Sequence, residues 1–402
     1  MKTVRKMVDI SGRFLFLFFI LIGTFVFAMF QGGMVSWTIF YIISPFVIYS
    51  ILLFLYPLSG MTVERVIRTP HVQNGEKLIV SLTVKRKDPF PLLYTVVAEK
   101  WAEREITVLA GDRLKRLFIF GFSKEVQWEY EVEQMPRGEH VLQGVTVEIV
   151  DFFGWLRKTK FIEAKDTILV FPKTTDIHYV PFDTQYDQGT MVSPLNIVKD
   201  TTMATGVRNY QAGDRVTWIH WKSFARTQTL MTKEFEDRRS QELFLLLDGR
   251  ETDVFEELVE LTASILMEVS EHQADLAMMT TGPERSLFPF IQSEEQLHRA
   301  LVHLAKIKST ASADIAVDLG TEFRQGGSIV VITGNPDWPF LQSVLLNAKG
   351  AGSIICFTVV KRDNPMLKTV EDNIQLTRSK GITVHVLERE QFPDAFKGVG
   401  RV

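Results

Sequence analysis

No charged side chain occurs from Phe14 to Val63, and so long a stretch without charge restricts the fold more than any other feature of the chain. Phe14 to Phe30 is a nearly unbroken apolar run, Met34 to Leu58 is a second, and Gln31-Gly32-Gly33 separates them. A helix needs roughly 20 apolar residues to cross a hydrocarbon core of about 30 Å, so each run is expected to span and the pair to form a hairpin. The competing reading is a cleavable signal peptide ahead of a buried core helix, but no small-residue cleavage site with a polar sequel follows the first run. Pro45 is tolerable if neighbouring groups satisfy the freed carbonyls, and Pro57 lies where the second helix should end. Trp37, Tyr41, Tyr49 and Tyr56 include candidates for an aromatic belt. Lys2, Arg5, Lys6 and Arg13 precede the first run, Arg65 and Arg68 follow the second, and the turn between them is uncharged. The positive-inside rule then puts both ends in the cytoplasm. The expectation is a multi-pass plasma-membrane protein with its soluble domains inside and the lipid bilayer as a partner.

Beyond residues 1–60, about 340 of the 402 residues remain, enough for two domains at roughly 100–200 each. One cysteine, Cys356, excludes an intrachain disulfide and fits a reducing compartment. Within Ile354-Ile355-Cys356-Phe357 it reads as an inert strand residue, because a reactive thiol needs an electropositive, partly open site. A net charge of −3, from 45 basic and 48 acidic residues, gives no domain-wide positive field for nucleic acid.

From Met61 to about Lys173 the rhythm is period-two alternation cut by turn residues, the pattern of strands. Val126, Trp128, Tyr130 and Val132 fall on one face, with Gln127, Glu129, Glu131 and Glu133 on the other. Leu78 to Val84, Leu93 to Glu99, Glu105 to Leu109, Leu114 to Phe120, His140 to Ile149 and Thr167 to Phe171 read similarly. Residues 61–173 are therefore expected to form an immunoglobulin-like β-sandwich. After Asp237 short apolar strands alternate with helical patterns. Strands are expected at Glu242 to Leu247, Ala274 to Met279, Ser328 to Ile332, Gly352 to Val360 and Ile382 to Leu387. Helices are expected at Asp253 to Glu271, Glu294 to Ile307, Trp338 to Ala348 and Val370 to Arg378. This alternation implies an α/β domain over residues 241–402 with a mainly parallel, Rossmann-type sheet. Ligands gather at the carboxyl ends of such strands, here at Asp248-Gly249-Arg250, Thr280-Thr281-Gly282 and Thr333-Gly334-Asn335.

Residues 174–240 read as a connector, and they hold the most specific local sequence. Gly213-Asp214 makes a turn, and Asp214 is placed to cap a short helix on which Trp218, Trp221, Lys222 and Ala225 share a face. The matches at Arg208, Tyr210, Gly213, Asp214, Ile219, Trp221, Ala225 and Arg226 resemble the signature of the bacterial family known as domain of unknown function fifty-eight, R-x-Y-x-x-G-D-x-x-R-x-I-x-W-x-x-x-A-R. Arg137-Gly138, Asp151-Phe152-Phe153-Gly154 and Phe171-Pro172 resemble that family's second stretch. With the hairpin, the resemblance spans nearly the whole chain. It implies a von Willebrand factor A-like terminal domain and a MoxR-type AAA+ ATPase as partner. A transglutaminase-like membrane protein is a second candidate partner.

Von Willebrand A domains often hold Mg²⁺ at an Asp-x-Ser-x-Ser run after the first strand, where oxygen ligands suit a hard cation. The corresponding run here is Asp248-Gly249-Arg250-Glu251-Thr252, with Thr281, Thr333 and Asp337 as contributors from later loops. A guanidinium has five donors and no acceptor, so Arg250 disfavours a cation and is expected to take its place by pairing with Asp248. A working metal site and a purely structural strand end are the alternatives. For catalysis, His220 and Asp214 lie six apart in the connector, within reach of each other across a turn, but a histidine between Ile219 and Trp221 reads more readily as a packed or surface residue. Arg208, Arg215 and Arg226 suit an acidic ligand or, stacked on Trp218, Trp221 or Tyr210, the joining of domains. These readings favour a non-catalytic, membrane-anchored interaction or scaffold protein without a cofactor. An envelope hydrolase or transferase and a Mg²⁺-dependent adhesion domain are the competing classes.

Overall fold

The computed structural model describes residues 2–179, 204–211, 216–235, 243–272, 276–282, 285–289, 291–311, 327–348, 351, 353–361, 368–380 and 382–397. Two compact units divide between Lys173 and Thr174.

The first unit opens with α1 (Lys2–Gln31) and α2 (Met34–Leu55), separated by Gly32 in the left-handed region at φ 62°. The turn therefore uses a residue without a Cβ penalty. Helix α2, of 22 residues, is long and apolar enough to cross a membrane; the apolar part of α1, Leu15–Gln31, is shorter. Hydroxyls within both helices return to the preceding turn, as Thr24 does to the Ile20 carbonyl at 2.8 Å and Thr38 to that of Met34 at 2.8 Å. The apolar helices thus satisfy their own polar atoms, as lipid requires.

Helix α2 ends on a β-structure of two sheets. Strands β1 (Met61–Ile67), β3 (Leu78–Arg86) and β6 (Glu125–Val132) form one in the order β1-β3-β6. The other runs β2-β8-β7-β4-β5, from β2 (Val72–Gln73), β4 (Tyr94–Trp101), β5 (Lys115–Phe118), β7 (Gly138–Val150) and β8 (Arg157–Phe171). Alternate residues of both enter one core, Val80, Leu82, Trp128 and Tyr130 from the first meeting Val97, Leu142, Val147 and Ile149 from the second. Leu53 and Tyr56, at the end of α2 and just beyond it, belong to the same core. Gly144 marks a bulge in β7: its φ is +149° and a Cβ would lie 2.3 Å from the Ile162 carbonyl oxygen, so only glycine fits.

Glu105 to Leu109 is not a strand but part of α3 (Arg104–Ala110). Five residues of alternation fit either period, and the buried pair Ile106 and Ala110, spaced by four, gives a helix one apolar face. Sequence pattern also missed a buried ionic group. Arg65, with a side chain 2% exposed, pairs with Glu99 and Asp166, and Tyr130 donates to Glu99 at 3.0 Å. Burial pushes the Glu99 carboxyl above its ordinary value, against the opposing pull of Arg65.

In the second unit β9 (Ala204–Asn209) and β10 (Met231–Phe235) make a two-stranded antiparallel ribbon around α4 (Trp221–Thr227). The larger sheet contains β11 (Leu243–Leu247), β12 (Leu276–Thr280), β13 (Ser286–Phe288), β14 (Ser328–Thr333), β15 (Ser353–Val359) and β16 (Thr383–Leu387). Its order is β13-β12-β11-β14-β15-β16, parallel throughout except for the edge strand β13. Helices α5 (Phe255–Glu271) and α6 (Glu294–Lys306) cover one face, and α7 (Trp338–Asn347) and α8 (Lys368–Ser379) the other. Strand β11 is buried at every position because its alternate side chains enter two cores, Leu243, Leu245 and Leu247 one and Phe244 and Leu246 the other. The start of the expected connector is part of this unit: Ile177 and Tyr179 pack in its core, and Thr175 donates to Glu260 at 2.8 Å.

Removing Arg65 leaves Glu99 without its counter-charge in a site that excludes water. Arg65→Met should cost about 3–5 kcal/mol, and adding Glu99→Gln should restore part of it. Denaturant midpoints of the full chain in detergent check this; a single variant as stable as the parent would show that the pair contributes little.

Candidate functional site

The order of the larger sheet reverses between β11 and β14, the crevice where open α/β sheets place ligands. Asp248 lies there, fully buried, its amide donating to the Ile332 carbonyl at 2.9 Å. Gly249 follows because a Cβ at that position would lie 2.1 Å from the Thr281 carbonyl oxygen. Its amide donates to the Thr281 hydroxyl at 3.0 Å.

Arg250 then turns back over the aspartate. Its Nε donates to Asp248 Oδ1 at 2.9 Å and its Nη2 to Oδ2 at 2.7 Å, the two-pronged geometry in which a guanidinium matches a carboxylate. Nη1 pairs with Asp337 at 2.6 Å, and Nη2 also donates to the Asn335 carbonyl at 3.1 Å. The guanidinium carbon lies 4.5 Å from the centre of the Phe340 ring, a favourable cation–π distance. Thr333 completes the shell by donating to Asp248 Oδ2 at 2.7 Å. Burial lowers the basicity of Arg250, but hydrogen bonds and charge from Asp248 and then Asp337 outweigh it and hold the guanidinium above its ordinary value.

Asp248, Arg250, Thr333 and Asp337 thus come together, and Thr281 supports the backbone beside them. Thr252 does not join the ring of bonds: its hydroxyl is buried without a hydrogen-bond partner among the described residues, next to Gly334. Asp337 precedes α7 without capping it through its side chain. Asn335 and Phe340 were not singled out in the sequence, since nothing local links them to Arg250. The arrangement holds a cation already, and both oxygens of Asp248 are engaged by it.

The signature segment lies apart from this cluster in sequence. Arg208 of β9 pairs in register with Thr232 of β10, and the Tyr210 amide donates to the Leu230 carbonyl at 2.9 Å. The short helix differs from expectation. Trp218 ends a separate 3-10 turn, and α4 is capped by His220, whose Nδ1 accepts from the Ser223 amide at 3.2 Å. A histidine ring within reach of that amide does the capping assigned to Asp214. Gly213, Asp214 and Arg215 lie outside the described residues. Lys222 and Arg226 are exposed, and Trp221 and Phe224 stand exposed with rings edge to face at 6.1 Å. Val207 and Leu230 add exposed apolar side chains from the ribbon. Cys356 is fully buried, its thiol pushed up to about 12 by burial.

Residues 206–377 match the family described as "Protein of unknown function DUF58". The chain is 35% identical over 361 residues to "Uncharacterized protein YeaD" of Bacillus subtilis (strain 168), covering 89% of each. Among solved structures, "von Willebrand factor type A from Catenulispora acidiphila" is similar over 42% of this chain and 43% of that one, with 7% identity and a TM-score of 0.26.

Deleting the guanidinium strands a buried carboxylate. Arg250→Ala should lower stability by about 3–5 kcal/mol, and Asp248→Asn in the same chain should recover part of the loss. Thermal or denaturant unfolding of the full chain reads both; equal losses in the single and double variants would mean that pairing with Asp248 is not the source.

Proposed function

The chain belongs to the DUF58 family of proteins of unknown function, and from that membership we propose that it is a non-catalytic, membrane-anchored interaction or scaffold protein. In this reading α1 and α2 form a two-pass anchor, residues 61–173 an immunoglobulin-like sandwich and residues 241–402 a von Willebrand A-like domain. The partner is a MoxR-type AAA+ ATPase acting on a client, with a transglutaminase-like membrane protein as a further candidate. The basic residues flanking the apolar runs support a cytoplasmic location for both soluble parts.

The observation that carries the proposal is Arg250. In the crevice where a sheet of this order places a ligand, both oxygens of Asp248 are bonded to an internal cation, which also pairs with Asp337. A general base or a metal ligand needs a free lone pair. The exposed neighbouring rings of Trp221 and Phe224, with Val207 and Leu230 exposed elsewhere in the signature segment, support contact with another protein.

Two measurements test this reading. Mg²⁺ should leave the thermal midpoint of the parent chain unchanged, since a ligand that binds only the native state must stabilise it. A clear rise would favour the adhesion-domain alternative. Native membranes carrying the tagged chain should yield a AAA+ ATPase on purification, and a reporter fused to the C-terminus should be active only in its cytoplasmic form. An external C-terminus would overturn the ATPase partnership and favour the envelope enzyme.

A further inference from the structure

Three turns gather at the end of the first unit where α2 arrives, and their contacts reach well up that helix. The turn between β7 and β8 brings Phe152 and Phe153 against Phe46, at ring separations of 4.9 and 5.3 Å. Trp155 stacks on Phe153 at 4.4 Å and touches Phe16 of α1 edge-on at 6.4 Å. In the same turn Asp151, 1% exposed, accepts from the Ser50 hydroxyl at 2.7 Å and the Leu156 amide at 2.9 Å. The turn after β3 carries Phe90, stacked on Tyr49 and Tyr56 at 5.9 and 5.0 Å, and Pro91, whose carbonyl accepts from the Tyr49 hydroxyl at 3.0 Å. The third turn, between β5 and β6, is fixed to the second by Arg86, which donates to the carbonyls of Phe90, Gly121 and Ser123.

The level of these contacts follows from helix geometry. At about 1.5 Å per residue, Phe46 lies about 14 Å and Tyr49 about 9 Å before Leu55, the last residue of α2. Helix α2 is about 33 Å long, close to the ~30 Å hydrocarbon thickness it must fill. If α2 spans, the tips of the turns cannot stand in bulk water. Their side chains agree: Phe122 is 73% exposed and Ile119 70%, and Phe152 and Phe153, partly covered by Phe46 and Trp155, remain 47% and 46% exposed. Asp151 at that depth is met by the Ser50 hydroxyl and the Leu156 amide. Lys87 and Lys124, both exposed, flank the tips with cationic heads, as an anionic headgroup layer favours. Asp88, exposed, and Asp151, buried, are the acidic residues of these turns.

We propose that the three turns around Phe90, Phe122 and Phe152-Phe153 form a foot that inserts into the bilayer between headgroups and acyl chains. The membrane thus holds the sandwich directly as well as through the helices. The occupant of this apolar surface is lipid, and the argument is its continuity with the surface of α2. The inference rests on the anchor proposed above, and the test separates the two.

The full chain in a Cys356→Ala background takes an environment-sensitive fluorophore at one of four positions, through Ile42→Cys, Phe122→Cys, Phe153→Cys or Glu76→Cys, and is reconstituted into vesicles of phosphatidylethanolamine and phosphatidylglycerol. Ile42 reports the anchor and Glu76 the far end of the sandwich. Blue-shifted emission that nitroxide-labelled lipids quench is expected at positions 42, 122 and 153, and water-like, unquenched emission at 76. Quenching at 42 alone would overturn the foot and leave the anchor standing; no quenching at 42 would overturn both. A blue shift at 122 and 153 without quenching would mean that protein, such as a second copy, covers the tips, and it also overturns the proposal. Phe122 contributes no ring contact to α2, so its replacement keeps the test valid even if Phe153→Cys weakens the fold.

Discussion

Lys158 closes the carbonyl end of α2, and the attachment of the helices to the sandwich depends on that contact. The last carbonyls of a helix have no intrahelical donors, and at an apolar boundary water is a poor substitute. The Lys158 ammonium on β8 donates to the carbonyls of Phe54 at 2.8 Å and Tyr56 at 2.6 Å, and Lys160 continues with Leu58 at 2.8 Å. A cation at the negative end of the helix dipole is favourable in its own right. Burial lowers the basicity of Lys158, so the site carries a desolvation cost that the carbonyls offset. With Leu53 and Tyr56 inside the sandwich core, helix end and sheet form one packed body, and the turns at that end are carried to a fixed depth on α2.

The same problem of a charge away from water recurs in both units, with the same kind of answer. Arg65 is held by Glu99 and Asp166, and Arg250 by Asp248 and Asp337. Such pairs are weak contributors to stability in net terms but costly to break, because either partner alone is an uncompensated buried charge. They also lack what catalysis asks of a titratable group. A base poised near neutrality needs a lone pair free to accept, whereas Asp248 accepts from Arg250 and Thr333 at once.

Where the environment of a residue is set by its neighbours in sequence, the chain was readable. Val126, Trp128, Tyr130 and Val132 alternate with polar residues because one face of β6 meets a core, and Trp128, Tyr130 and Val132 are buried. The apolar run at Leu243–Leu247 reads as a strand because both faces are covered. Glu105 to Leu109 misled because five alternating residues cannot distinguish the periods, and the decision lies with the tertiary burial of Ile106 and Ala110. The pairing of Arg250 with Asp248 was visible at a spacing of two, but Asn335 and Phe340 enter from the far side of β14. Asp151-Phe152-Phe153-Gly154 stood out only as a family resemblance. Its physical role is a contact with Phe46 and Ser50 on a helix about a hundred residues earlier, which no local pattern encodes.

The surface of the signature segment poses the opposite problem, apolar groups left in water. A two-stranded ribbon is marginal by itself in water, and Val207 of β9 and Leu230, just before β10, are left exposed, as are Trp221 and Phe224 of α4. Exposing such groups forgoes roughly 25 cal/mol for each Å² of apolar surface left in water, and folding of the ribbon alone does not recover it. A contact that buries them does. Of the two rings of α4, Trp221, at 60% exposed, has more to gain from such a contact than Phe224.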